Sequence, residues 1–164
     1  MQWLWLDDGF PIAETEGRIY SEILRIIRGE DMTQNITKGV KALLAEANEV
    51  VSTVSVEDAQ TMHKDENYVF VDLRDIRELQ REGKVPGAFS CPRGMLEFWI
   101  DPDSPYHKDI FNQDKTYVFY CASAWRSALS AKIAQEMGLA PVAHMAGGFT
   151  AWKKAGSEIE EVNR

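Results

Sequence analysis

The sequence predicts an α/β fold: a central, mostly parallel sheet flanked by helices on both faces, with an N-terminal helical extension. Three observations predict it. Tyr68–Asp72, Thr116–Tyr120 and Val142–Met145 are short apolar runs rich in β-branched and aromatic residues, the pattern of buried strands. Stretches with apolar or small residues at helical spacing stand between and after them. Strand and helix alternate along the chain, and alternation of this kind builds a parallel sheet with a helix in each crossover. Ligands of such sheets bind at the carboxyl ends of the strands.

The elements follow in order. Residues 1–31 open with MQWLWLDDGFP, and Ile19–Ile27 forms a short amphipathic helix ending at Gly29. Met32 then starts MTQN, which reads like an ordinary start of translation. Residues 1–31 are therefore either upstream or appended sequence, or an arm whose Trp3, Leu4 and Trp5 pack on this domain or on a second copy. Residues 32–52 are an N-terminal helix. Its stripe of Ile36, Val40, Leu43, Leu44, Ala47 and Val51 predicts core packing and leaves room for a homodimer.

Residues 53–158 are the alternating domain. Ser55 and Asp58 form a capping box for a helix running to about His63. After the strand Tyr68–Asp72, Ile76–Glu82 is a short polar helix stopped by Gly83. Arg93–Ile100 is helical, and Asp101–Ser104 with Pro105 is a turn. The strand Thr116–Tyr120 leads through a loop to a helix that begins near Arg126 and stops at Gly138. Val142–Met145 is the last strand, Phe149–Ala155 the last helix, and 159–164 a tail.

The 164 residues are 45% hydrophobic and 27% charged, enough apolar content for a real core in one domain. The net charge of −8 and the lack of a basic run exclude nucleic-acid binding. An anionic substrate needs a local positive site, because the overall field repels it. Two cysteines, Cys91 and Cys121, make neither a disulfide framework nor a CxxC motif, so a reducing cytoplasm fits best. No apolar run is long enough to span a membrane, and no signal-peptide pattern opens the chain. His63, His107 and His144 have no metal-ligand spacing, so no metal is expected.

Cys121 carries the most information. It lies where an apolar strand hands over to a helix. At a helix N-terminus, unpaired N–H groups and the helix dipole favour thiolate over thiol, and the thiolate is the attacking form. The plain alternative is a small buried hydrophobe. Cys91 precedes Pro92 in a loop after a strand. It reads as a plain buried residue, with a second thiol that reacts with whatever forms on Cys121 as the sharper option.

From Ser52 to Gly156 the chain resembles the rhodanese family of sulfurtransferase domains. Asp72-Leu-Arg74 follows a buried strand, like the family's aspartate-x-arginine. Gly83-Lys-Val-Pro-Gly-Ala88 is similar to its Gly-His-Ile-Pro-Gly-Ala segment. Cys121 to Arg126 matches its six-residue active-site loop, and Met145-Ala-Gly-Gly-Phe-Thr-Ala-Trp152 its closing signature. Lys84 replaces the usual histidine, and the loop interior of Ala122, Ser123, Ala124 and Trp125 has no glycine.

The resemblance implies a sulfurtransferase without metal or organic cofactor. Cys121 takes the outer sulfur of a small anionic donor such as thiosulfate, becomes a persulfide, and passes that sulfur to a thiol or protein acceptor. Ala122, Ser123, Ala124, Trp125 and Arg126 form the substrate-binding loop, whose backbone N–H groups make an anion nest. Arg126 is either a contact for the substrate anion or a structural ion pair. Asp72 and Arg74 read as structural. Phosphatases of related fold place five residues between cysteine and arginine, and here there are four. A non-catalytic binding or regulatory module is the alternative from another class.

Overall fold

The computed structural model describes residues 12–29 and 34–163. The chain divides into two units, 1–37 and 38–164. Among the described residues, the first contains one helix, α1 (Ile12–Ile27), longer than the helix expected there because it begins seven residues earlier. The expected packing of Trp3, Leu4 and Trp5 lies outside the described residues.

The second unit holds a five-stranded sheet in the order β1-β5-β4-β2-β3. Its strands are β1 (Ser52–Val54), β2 (Tyr68–Asp72), β3 (Phe89–Ser90), β4 (Thr116–Tyr120) and β5 (Val142–Met145). Every neighbouring pair is parallel, so the sheet is parallel throughout. The helices are α2 (Val40–Val50), α3 (Val56–Met62), α4 (Ile76–Glu82), α5 (Leu96–Ile100), α6 (Trp125–Glu136) and α7 (Gly148–Lys154). The stretch expected to be one helix from Arg93 to Ile100 is a 3-10 turn, Arg93–Met95, that leads into α5.

The two-residue period of the strands sorts their side chains into two cores. Val69, Val71, Tyr117 and Phe119 face one side, where Leu96 and Ile100 of α5 and Ala131 and Ala134 of α6 cover them. Phe70, Val118 and Tyr120 face the other, under Val56 and Ala59 of α3 and Phe149 and Trp152 of α7. Helices on both faces and apolar residues on both sides of each central strand are one requirement seen twice.

Helix α2 packs on α6 through Leu44 and Ala47 against Ala128. Its predicted stripe is only partly core. Leu44, Ala47 and Val51 are buried, whereas Ile36, Val40 and Leu43 are exposed. The helix starts at Val40, so Ile36 is not on it. At the other end the tail is fixed to the domain. Lys84 and Glu160 exchange two backbone hydrogen bonds of 2.9 Å.

Candidate active site

Cys121 is the residue after β4, the central strand. In register, Tyr120 pairs with nothing beyond Asp72 on β2, and the Leu73 N–H then donates to the Tyr120 carbonyl at 2.9 Å. Cys121 therefore stands at the carboxyl edge of the sheet, with β2 on one side and β5 on the other. It keeps the parity of Tyr117 and Phe119 and is 1% exposed. Its Sγ donates to the Ser127 hydroxyl at 3.7 Å, and Ser127 Oγ donates to the Ala124 carbonyl at 3.1 Å.

The loop is held from behind by α7. The Phe149 N–H donates to the Cys121 carbonyl at 2.7 Å, and the Thr150 N–H to the Ala122 carbonyl at 3.0 Å. These are N–H groups of the first turn of α7, which have no acceptor inside their own helix. The loop carbonyls thus cap α7. A trans peptide sets its N–H opposite its C=O. The Ala122 and Ser123 N–H groups therefore point away from α7. Close approach requires Gly148, whose φ is +59°.

Ala124 precedes α6 with a φ of +70°, a left-handed conformation that costs a side-chain-bearing residue about 1–2 kcal/mol. The turn that glycine makes easily is made here by the smallest chiral residue. It lets α6 begin at Trp125, one residue before the expected start, so Trp125 and Arg126 belong to its first turn. The α6 dipole adds positive partial charge there. Ala122 and Ala124 are half-buried, Ser123 is exposed, and Trp125 is 55% exposed.

Arg126 is engaged by Glu78 of α4. Its Nη1 donates to Glu78 Oε2 at 2.8 Å and its Nη2 to Oε1 at 2.9 Å. The Arg126 bonds hold the Glu78 carboxyl down at about 2. The Glu78 carboxylate in turn raises Arg126, and Cys121 contributes to that rise. Glu78 also accepts the Asp75 N–H at 3.0 Å in the capping box of α4.

Asp72 and Arg74 form a buried pair, 0% and 1% exposed. Arg74 Nη2 donates to Asp72 Oδ2 at 2.7 Å and to the Gly83 carbonyl at 2.7 Å. Burial is the largest single influence and opposes the Arg74 charge, but the Asp72 hydrogen bond and the negative charge of Asp72 and its neighbours together outweigh it, so the guanidinium is raised. It lies 3.9 Å from the Phe149 ring centroid. Through Phe149 the pair supports the backbone of the Cys121 loop. Burial pushes the Cys91 thiol up to about 12, so it stays protonated at neutral pH.

Two residues of this site were not among those singled out from sequence. Ser127 had a signal: it occupies the first turn of the helix that follows the cysteine. Glu78 had half of one. Asp75-x-x-Glu78 has the form of a capping box, but nothing local points to an arginine 48 positions away.

The rhodanese-like domain family model matches residues 55–155. A candidate sulfurtransferase of Bacillus subtilis, YtwF, is 30% identical over 103 residues, covering 63% of this chain and 88% of that protein. An uncharacterized protein of Synechocystis is 26% identical over 113 residues, covering 69% of this chain and 58% of that protein's length. A solved structure from Rhodopseudomonas palustris, of a protein of unknown function described as a possible tyrosine phosphatase, is 59% identical. It superposes with a TM-score of 0.77 over 79% of this chain and 100% of its own.

Proposed function

This chain belongs to the rhodanese-like domain family, and we propose that it is a sulfurtransferase working through a persulfide on Cys121. The Cys121 thiolate attacks the outer sulfur of a small sulfane donor, of which thiosulfate is the simplest. The sulfur–sulfur bond breaks, its electron pair leaves on sulfite, and the transferred sulfur stays on Cys121. A thiol or an acceptor protein then takes that sulfur. Two half-reactions through a covalent intermediate give ping-pong kinetics.

The observation that carries this reading is the setting of Cys121: at the carboxyl edge of the central strand, beside Ser127 and the N-terminus of α6. Ser127 Oγ stabilises a thiolate when its proton turns toward Sγ. The outward N–H groups of Ala122 and Ser123 offer further donors to a persulfide.

The description of the R. palustris relative brings phosphate-ester hydrolysis into consideration. Four residues between Cys121 and Arg126 make a loop suited to one sulfur more than to a phosphate. The exposed Trp125 favours a second reading, a module that binds a partner protein through this loop.

Intact mass after incubation with thiosulfate and removal of the donor tests the proposal. Gain of one sulfur atom, absent in Cys121→Ser, is the expected result. No gain from any sulfane donor, with hydrolysis of a phosphoester instead, would establish the phosphatase. Neither activity would leave the binding module.

A further inference from the structure

We propose that Glu78 sets the charge selectivity of the Cys121 loop by neutralising Arg126, so that the loop favours donors of low charge over dianions. The inference rests on the sulfurtransferase reading and deepens it by naming the donor class.

Arg126 is the cation in the loop itself, and the Glu78 carboxylate holds its Nη1 and Nη2 at 2.8 and 2.9 Å as a bidentate ion pair. Asp75, at the start of the same helix, is paired with Arg77 at 2.7 Å and leaves the neutralisation of Arg126 to Glu78. A dianion arriving at Cys121 thus meets a neutralised pair on a chain of net charge −8. Beside Arg126, Trp125 is 55% exposed and offers an aromatic face to the carbon chain of an organic donor.

An alkyl persulfide fits this setting. The Cys121 thiolate attacks its outer sulfur, which passes to Cys121 with its proton. The electron pair of the broken S–S bond leaves on the alkyl thiolate. That donor brings at most one negative charge, and thiosulfate brings two.

Glu78→Gln separates charge from structure. A glutamine carbonyl still accepts the Asp75 N–H, since glutamine serves in capping boxes as glutamate does. The first readout needs no sulfur transfer. Iodoacetamide and iodoacetate alkylate the same thiolate by the same displacement and differ by one carboxylate. Their rate ratio at Cys121 cancels changes in thiolate fraction and access. Glu78→Gln is expected to raise the iodoacetate-to-iodoacetamide ratio about tenfold, the size of one unscreened charge near a protein surface. Arg126→Met, which leaves the Glu78 carboxylate unneutralised, should lower the ratio by a similar factor, and adding Glu78→Gln to it should bring the ratio back near the wild-type value. Glu136→Gln, at the far end of α6, should leave the ratio alone.

The second readout is kcat/KM for thiosulfate and for hydroxyethyl persulfide. Glu78→Gln should improve thiosulfate about tenfold, mainly through KM, and change the persulfide less than about twofold. An unchanged alkylation ratio, or equal losses with both donors, would overturn the proposal and leave Glu78 a helix cap. If neither donor loads sulfur on the wild type, the sulfurtransferase reading fails, and the alkylation ratio still decides the role of Glu78.

Discussion

A Cβ on Gly148 would stand 2.3 Å from the carbonyl oxygen of Cys121 and 2.8 Å from that of Ala122. Both neighbours are backbone, so neither can swing aside. The glycine that starts α7 and the cysteine that follows β4 are fitted to each other without slack. Gly148→Ala adds the clash to the strain of a φ of +59°. A loss of about 2–4 kcal/mol is expected in chemical denaturation. A loss under about 0.5 kcal/mol would mean that the loop shifts freely away from α7.

Ala124 gives a second prediction on the same loop. At a φ of +70°, glycine is tolerated and a β-branched residue is not. Ala124→Gly should leave the melting temperature level or slightly higher. Ala124→Val should cost roughly 1–2 kcal/mol. Equal stability for Gly and Val would contradict the left-handed turn.

The Asp72–Arg74 pair is buried with its hydrogen bonds made. Removing one partner strands the other charge. Arg74→Met should therefore destabilise by about 3–5 kcal/mol. The same variant removes the guanidinium over Phe149, so slower sulfur loading on Cys121 should accompany the lost stability.

Glu78 predicts a pH dependence. Its carboxyl is held near 2 in the folded protein and returns to about 4.5 when unfolded. A depressed carboxylate stabilises the fold above the unfolded value, and that contribution is lost as pH falls through the folded one. The stability gap between wild type and Glu78→Gln should be constant above about pH 5 and close toward pH 2. Urea titrations at several pH values measure it. A gap that widened on acidification would refute the ion pair.

Cys91, pushed up to about 12 by burial, should resist alkylation at pH 8 while the protein is folded. Peptide mapping after iodoacetamide treatment reads this directly. Rapid labelling of Cys91 in the native protein would reopen its role as a second thiol.

How much of this was legible from the residues depends on range. Tyr68–Asp72 and Thr116–Tyr120 announce themselves as strands because both faces of each are buried, and their bounds match the structure. β1 and β3 escaped because three and two residues are too few to show a period. The Ser55 cap was readable because its partner, the Asp58 N–H, is three residues away. The Glu78–Arg126 pair was not, since only the folded sheet brings α4 beside α6. Ile36 and Leu43 misled for a related reason. Apolar spacing names the face of a helix but not what covers it.

The supports of the Cys121 loop have a consequence for synthesis. β5 flanks β4, and the Phe149 and Thr150 N–H groups that hold the loop come later still in the chain. Glu160, which ties the end of the domain to Lys84, is later again. On the ribosome the N-terminal part emerges first. Cys121 therefore leaves the tunnel before the residues that enclose it. During that interval its thiol is open to oxidants and to any holding chaperone. Enclosure of Cys121 waits until Phe149 and Thr150 have emerged as well.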